Sequence, residues 1–405
     1  MKNKFCALLF FCIFLFSCGK KGGIQTLNEE ELFSLKYGNF EDEINLFGVD
    51  KIGKISTSLT MKDGFFYIVN GQNQKILSYN SYGDLLSIHY NEDFYDEKYN
   101  ELLSKQNSML WKGVSFPFEF DGKIAVDSKK YMYAVGIVPK ERNEQDEDEN
   151  LVYSQVVLRF SSDGTVLDYI GQQGPSGTPF PFIKQIYVTN QNELVVVCIT
   201  TSGSCTFWFS SDGYLKYRIP LTQKDIPHEK FDFAEGEDDD IFISVENVVP
   251  DYSSQTLFVK VDYYKPYVDS ESKISSGVNY LETVIYPLNV ETGTYSKSII
   301  VPPYEESVIQ DFSKITYKIP YDFLGTAKNG WLYFLLSTQE GYSVQILNAK
   351  RQQLIKRSLP VNHNDVLFSS FDLSDEGIIS AILAEKEKCR IVWWKTDSLI
   401  DSVIK

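Results

Sequence analysis

Histidine is scarce in this chain: 405 residues hold three, His89, His228 and His363, set far apart. A nucleophilic triad needs a base within hydrogen-bond reach of a serine or cysteine, and an acid to orient it. No G-x-S-x-G phrase accompanies any of the three, so the sequence names no catalytic residue. Positive charge is short as well: 39 Lys and Arg stand against 55 Asp and Glu, for a net charge of −16. Affinity for nucleic acid rests on phosphate neutralisation by basic side chains, and anionic lipid attracts polybasic segments. The composition argues against both. Cysteines number six, none with the paired spacing of a zinc site. No metal or cofactor is expected. Long apolar runs are missing too: past residue 16 nothing approaches the roughly 20 residues a membrane-spanning helix needs.

What is present begins at the amino end. Lys2 and Lys4 precede an apolar stretch from Phe5 to Phe16, followed by Ser17-Cys18-Gly19. A basic start, about a dozen apolar residues and a small residue before the cut describe a secretory signal. Leu15-Phe16-Ser17-Cys18 resembles the lipobox, after which lipoprotein signal peptidase cuts once the cysteine is acylated. Phe16 departs from the small residue usual there. The expected organisation is a signal peptide over 1–17, a lipidated tether and linker over 18–40, and one folded domain over 41–405. The expected partner at this end is a membrane, held through acyl chains on Cys18. Each buried methylene contributes about 0.8 kcal/mol, so two or three chains anchor firmly. Gly19 in place of an acidic retention signal points to the outer rather than the inner membrane.

With Cys6 and Cys12 removed and Cys18 acylated, Cys198, Cys205 and Cys389 remain. Cys198 and Cys205 flank a turn-like Thr-Thr-Ser-Gly-Ser run and form a candidate disulfide, which an exported compartment permits; two buried thiols are the alternative. Two acidic runs, Glu144 to Glu149 and Glu235 to Asp240, read as solvated hairpin tips, with a hard-cation site as the alternative. Tyr263, Tyr264 and Tyr267 are expected in an exposed, loop-like insertion.

From about residue 44 the chain is strands and turns. DGFFYIVNGQNQKILSYNSYGDLLSIHY, from Asp63 to Tyr90, reads as three strands joined by tight connections. Comparable phrases recur, including ELVVVCI, TLFVKVDYY, NGWLYFLLS and EGIISAILA. Six such units can be drawn, and self-similar units of about 40 to 50 residues mark a propeller. The fold class predicted is all-β, a six-bladed β-propeller. Its last unit supplies only three strands after Val366, and Ile44 to Ile55 is a candidate to complete it. Two segments break the rhythm. Asn28-Glu29-Glu30-Glu31 has a helix-start pattern, with Leu27 and Leu32 at staple positions. Tyr95, Tyr99, Leu102 and Leu103 predict a short helical insertion near 91–111.

Asp63-Gly64, Tyr67, Val69, Asn73, Ile76, Tyr79 and Gly83 resemble the rhythm of NHL-type propeller repeats. So do Phe160-Ser161-Ser162-Asp163-Gly164, Ile170-Gly171, Gly174, Gly177 and Phe180. Together with the lipobox and the ending Val392 to Asp397, they are similar to a group of spirochaetal envelope lipoproteins without settled function. Gly171 to Gly177 lacks the spacing of a nucleotide fingerprint and reads as an inter-blade loop. A tether, a rigid platform and no catalytic phrase together favour a non-enzymatic binding or scaffold protein, its partner an envelope protein or another ligand. The alternative is a carboxylate- or metal-dependent enzyme, lactonase- or lyase-like, working at the central channel, where several blades can pool residues.

The anchor reading predicts that Cys18→Ser releases the protein from membranes. Detergent-phase partitioning of the expressed chain checks this, and an unchanged membrane fraction would refute it.

Overall fold

The computed structural model describes residues 24–46, 55–105, 112–116, 118–147, 150–228, 241–268, 275–310 and 313–404. Their strands form six sheets of four or five strands, plus two small hairpins. The sheets are blades 1 (57–116), 2 (119–175), 3 (182–221), 4 (242–301), 5 (322–360) and 6 (368–395). The chain is a six-bladed β-propeller, with two short α-helices among the described residues.

Within a blade, successive side chains alternate between two neighbours, not between core and water. Phe66 and Ile68 pack toward blade 6, whereas Tyr67 and Val69 pack toward blade 2. Both sets are apolar and buried, which is why the strands read as near-continuous hydrophobic runs. Six buried clusters result, one in each gap between blades.

The ring closes with residues from the amino end. Glu30–Leu35 pairs antiparallel with Cys389–Lys395 and becomes the outer strand of blade 6. Gln25–Thr26 adds a short parallel strand to blade 5. The helix start expected at Asn28–Glu31 is not formed: Asn28 and Glu29 are irregular, and Glu30 and Glu31 open a strand. The open edge of Cys389–Lys395 offers backbone partners, and its surroundings offer cations: Glu30 meets Lys395 at 3.0 Å, Glu31 meets Lys388 at 3.0 Å, and Glu29 pairs with Arg390. Acidic residues that would suit a first helical turn match this basic strand instead. The missing strand does not come from Ile44 to Ile55. Ile44 and Leu46 are buried between blades 6 and 1 without joining a sheet, and 47–54 lie outside the described residues. The stretch read as tether and linker, 18–40, thus contributes to the propeller from Gln25 onward. Residues 1–23, including Cys18, also lie outside the described residues.

The helical insertion is present as α1 (Glu97–Lys105), after a 3-10 turn at Glu92–Phe94. Tyr95 and Tyr99 stack at 4.6 Å, and the Tyr99 hydroxyl donates to the Asn39 carbonyl at 2.8 Å. The helix is pinned over one end of blade 1. A second helix, α2 (Asp397–Ile404), follows the last strand.

Chain direction gives the disc two unlike faces. The innermost strands all run the same way, and the turns after them are short: Asp63-Gly64, 127–131, 189–193, 251–255, 328–330 and 374–377. At the opposite ends lie the long excursions: residues 92–105 with α1, the hairpin of Glu144–Asp146 and Leu151–Tyr153, residues 222–228, the extended Thr256–Val268 and Ser275–Asn289 arms, and the hairpin of Tyr304–Gln310 and Ser313–Ile319. We call these the turn face and the insertion face.

Leu35 is buried among residues of blades 6 and 1, so Leu35→Ala should cost about 2–4 kcal/mol. Urea unfolding measures this; a flexible linker residue would leave the midpoint unmoved.

Candidate functional site

The innermost strands enclose a central cavity of about 140 Å³, lined by all six blades. Toward the insertion face its wall is largely apolar, with Ile124, Ile186, Leu324 and Phe371 contributing. Toward the turn face it ends in a polar plug. Asp375, in the turn after the innermost strand of blade 6, accepts from the Tyr252 hydroxyl of blade 4 at 2.6 Å. The same carboxylate lies 3.1 Å from Lys62 Nζ of blade 1 and 3.6 Å from Lys328 Nζ of blade 5. Three blades therefore converge on one carboxylate of a fourth.

Around this hub the turns are tied one to the next. Lys130 pairs with Asp63. The Ser128 amide and hydroxyl donate to Asn192 Oδ1 at 3.0 and 2.8 Å. The Asn190 amide donates to the Tyr252 carbonyl at 3.0 Å, and the Tyr252 amide donates to Thr326 Oγ1 at 3.1 Å. The Lys328 amide donates to the Asp375 carbonyl at 2.8 Å. With Lys62 and Asp375 this makes a girdle through all six junctions.

Asp372 sits three residues earlier, in the innermost strand of blade 6, half-buried at the cavity wall. It accepts from the Met61 amide at 2.9 Å and from Thr60 Oγ1 at 3.2 Å, joining blade 6 to blade 1. Burial pushes its carboxyl up to about 6, against the pull of those two bonds. Asp375 moves the other way: although buried, it is held below the ordinary carboxylate range by the Tyr252 hydroxyl and the Lys62 ammonium. Burial, with Asp375 adjacent, raises the Tyr252 phenol. One carboxyl near neutrality beside one held ionised can serve general acid–base chemistry. The same pattern also arises in structural ion-pair networks. The space is small for a substrate, since small-molecule sites usually measure about 300–1,000 Å³.

The sequence singled out none of the channel-end residues Lys62, Tyr252, Lys328, Asp372 and Asp375. They come from turns more than 300 positions apart in the case of Lys62 and Asp375, and the only local signal is a charged residue just past an innermost strand. The histidines do not converge. His89 is buried between blades 1 and 2, His228 is exposed after blade 3, and His363 contacts the Gly341 carbonyl at 2.9 Å. Among the described residues no three His, Cys, Asp or Glu are placed to hold a metal ion. Of the acidic runs, Glu144–Asp146 forms a hairpin strand, with the Tyr153 hydroxyl donating to Asp146 at 2.7 Å; 148–149 and 235–240 lie outside the described residues. Cys198 and Cys205 are direct ladder partners on adjacent strands, both buried. The Tyr263 insertion is not a loop: Thr256–Val268 is one continuous strand. Tyr263 is buried and bonded to the Tyr286 hydroxyl at 2.6 Å, Tyr264 is half-buried, and Tyr267 near the tip is exposed.

No protein-family model matches the chain, and no curated protein matches it. Among solved structures it is similar to a streptogramin B lyase at 12% identity, over 91% of this chain and 97% of that one, with a TM-score of 0.36. A polysaccharide lyase, Uly1, is 8% identical over 92% and 100%, with a TM-score of 0.39. The β-propeller domain of the Trilobed protease from Pyrococcus furiosus is 8% identical over 84% and 96%, at 0.38. At these scores none of those activities transfers to this chain.

A raised folded-state pKa at Asp372 makes the native state bind more protons than the unfolded chain between about pH 4 and 6. Its contribution to stability is therefore full at acid pH and is lost as pH rises through that window. Asp372→Asn should remove the loss, gaining roughly 2–3 kcal/mol relative to wild type between pH 4 and pH 7.5. Urea unfolding of both proteins at the two pH values checks this; parallel pH profiles would contradict it.

Proposed function

We propose that this chain is a lipid-anchored β-propeller of the bacterial cell envelope, of NHL-like type and related to the spirochaetal lipoproteins. Its work is to bind another envelope protein through its insertion face, without catalysis. An outer-membrane location fits Gly19 after the acylated cysteine.

One observation carries the reading. Exposed apolar side chains pair across neighbouring strands on one sector of the insertion face. Phe182 lies opposite Ile199 on blade 3, and Val308 opposite Ile315 on the hairpin that follows blade 4; on the arms of blade 4, Val278 lies opposite the half-buried Pro266, and Tyr267, opposite Gly277, is exposed on the other side of the ribbon. Isolated exposed hydrophobics are ordinary on soluble proteins, but grouped ones mark interaction surfaces. Aromatic anchors such as Phe182 and Tyr267 are the side chains that contribute most at interfaces. The hairpin of Tyr304–Gln310 and Ser313–Ile319 pairs with no blade, and a two-stranded hairpin has little stability alone. A partner laid along it would supply the missing cover.

The other reading, an enzyme at the channel, has the Asp372 and Asp375 pair in its favour. Against it stand the small cavity and the commitment of Asp375 to three partners. Binding accounts for more of the surface.

The test is capture from envelope extract by the full chain in detergent, beside a Tyr267→Ser, Val278→Ser, Val308→Ser triple variant. A protein retained by wild type should fall about tenfold or more with the variant, a loss of at least ~1.4 kcal/mol, while the thermal midpoint stays put. Equal retention by both proteins, or none by wild type, would defeat the proposal.

A further inference from the structure

The acidic charge of this chain is unevenly placed. Of its 405 residues 55 are Asp or Glu, yet none lies between Glu340 and Asp365. That stretch makes the two outer strands of blade 5, Gly341–Asn348 and Gln353–Pro360, and the turn that joins them. It carries Lys350, Arg351, Lys356 and Arg357 instead. Among the described residues none of these four pairs with a carboxylate. The nearby Glu29, Glu30 and Glu31, at the edge of blade 6, are matched by Arg390, Lys395 and Lys388. Composition argued against anionic lipid for the chain as a whole; placement reverses the argument for this one sector.

The four cations follow the outer rim. Lys350 and Arg351 are exposed in the turn, at the turn-face corner of the blade. Lys356 and Arg357 are half-buried and point to opposite sides of the outer strand. Together they span about 20 Å of rim. Leu354 stands among them, 42% exposed, and Ile24 beside the same strand is 48% exposed. Charged residues on an edge strand also discourage unwanted strand pairing. That accounts for Lys356, but not for two cations in a turn or for an exposed leucine between them.

The point where the chain enters selects the partner. Gln25 pairs with Arg357 and Thr26 with Ser358, in a parallel ladder, and the Leu27 amide donates to the Ser358 carbonyl at 2.9 Å. Followed backward, Gln25–Thr26 therefore heads toward the corner that holds Lys350 and Arg351. In the sequence five residues separate Ile24 from Cys18, a reach of about 20 Å when fully extended. The incoming segment has Lys20 and Lys21 and no acidic residue before Glu29. A lipid on Cys18 thus brings this rim within one short tether of the headgroups.

We propose that the outer rim of blade 5 lies against the anionic phospholipid surface that holds the Cys18 acyl chains. Lys350, Arg351, Lys356 and Arg357 meet lipid phosphates, and Leu354 enters the headgroup layer. The geometry rests on the anchor reading and adds an orientation to it. The propeller stands on its rim, with both faces open sideways and the apolar sector of the insertion face free for a protein partner. Tethering raises the effective concentration of the patch to roughly millimolar, so weak contacts suffice. Each basic residue near an anionic surface adds about fivefold. Acidic groups elsewhere, beyond a screening length of about 8 Å, oppose it little.

Residues 19–405 include every strand of the ring and test the patch without the anchor. They are co-sedimented with vesicles of phosphatidylcholine alone and with about 30% phosphatidylglycerol added. Partitioning to the anionic vesicles should be at least tenfold stronger, and should fade as salt rises from about 50 to 300 mM. The Lys350→Gln, Arg351→Gln, Lys356→Gln variant should lose tenfold or more at an unchanged thermal midpoint. A Lys140→Gln, Lys224→Gln, Lys386→Gln variant, which removes as much exposed charge from other sectors, should lose less than twofold. Equal binding to both vesicles, or equal losses from the two variants, would overturn the proposal. Its failure is separable from that of the anchor: the mass of the membrane-purified full chain reads acylation of Cys18, and an acylated chain with an indifferent patch overturns the orientation alone.

Discussion

A four-stranded sheet with apolar side chains on both faces must be covered twice, and no blade of this chain can do that for itself. Leu194, Val196 and Cys198 of one strand face blade 2, while Val195 and Val197 of the same strand face blade 4. Fully burying one such side chain is worth about 1.5–3 kcal/mol, so an end blade with an open flank would forfeit several at once. Six wedges in a ring solve this only if the ring closes. Closure here falls to Glu30–Leu35, whose ladder partner lies some 360 residues away in the chain. Ion pairs from Glu29, Glu30 and Glu31 to Arg390, Lys395 and Lys388 set its register, although each exposed pair adds little energy alone.

Ring closure with all innermost strands running in parallel gives the faces different duties. The turn face receives the shortest connections, and short connections can be fastened. The girdle from Lys130 and Asp63 round to Lys62 and Asp375 uses turn residues that water would otherwise solvate. The insertion face receives the connections that the fold leaves free in length. Function on propellers is set by such loops and not by the fold itself. The exposed apolar side chains of blades 3 and 4, Phe182, Ile199, Tyr267 and Val278, stand on that free side.

Much of this was legible in the amino-acid order. Asp63-Gly64 and Ser161-Ser162-Asp163-Gly164 mark turns because their backbones need left-handed conformations, and the runs between them have strand composition. Tyr99, Leu102 and Leu103 betrayed α1 by their spacing, whereas Tyr95 precedes the helix in extended backbone. The closing strand was illegible for a physical reason: Asn28 to Glu31 carries a sound local helix signal, and what overrides it is an unpaired edge at the far end of the chain. Tyr263 looked exposed because Pro266 and the neighbouring tyrosines suggest a loop. The strand runs through them, however, since Pro266 lies near the hairpin tip and costs one ladder bond at most. The channel was illegible for the same reason as the closing strand, each blade giving it only a few unremarkable residues around the end of its innermost strand. His89 was visible but unassignable, because an isolated histidine says nothing about which atoms surround it.

The opposite shifts at Asp372 and Asp375 show what the channel end is built to do. Two carboxyls three positions apart, both withdrawn from water, could not both ionise without compensation. The fold compensates only one of them. Asp375 receives a phenol and an ammonium from other blades, and its charge becomes the point where blades 1, 4 and 5 meet blade 6. Asp372 receives one amide and one hydroxyl from blade 1, which suffices to place it but not to keep it strongly acidic. A substrate-handling pair would leave at least one oxygen directed at open space of useful size. Here Asp375 is taken up in fastening blade to blade, whereas both bonds that Asp372 accepts from blade 1 go to Oδ2, and the cavity above them is small. The charge at the channel floor ties blades 1, 4 and 5 to blade 6, four wedges of the ring held through a single carboxylate.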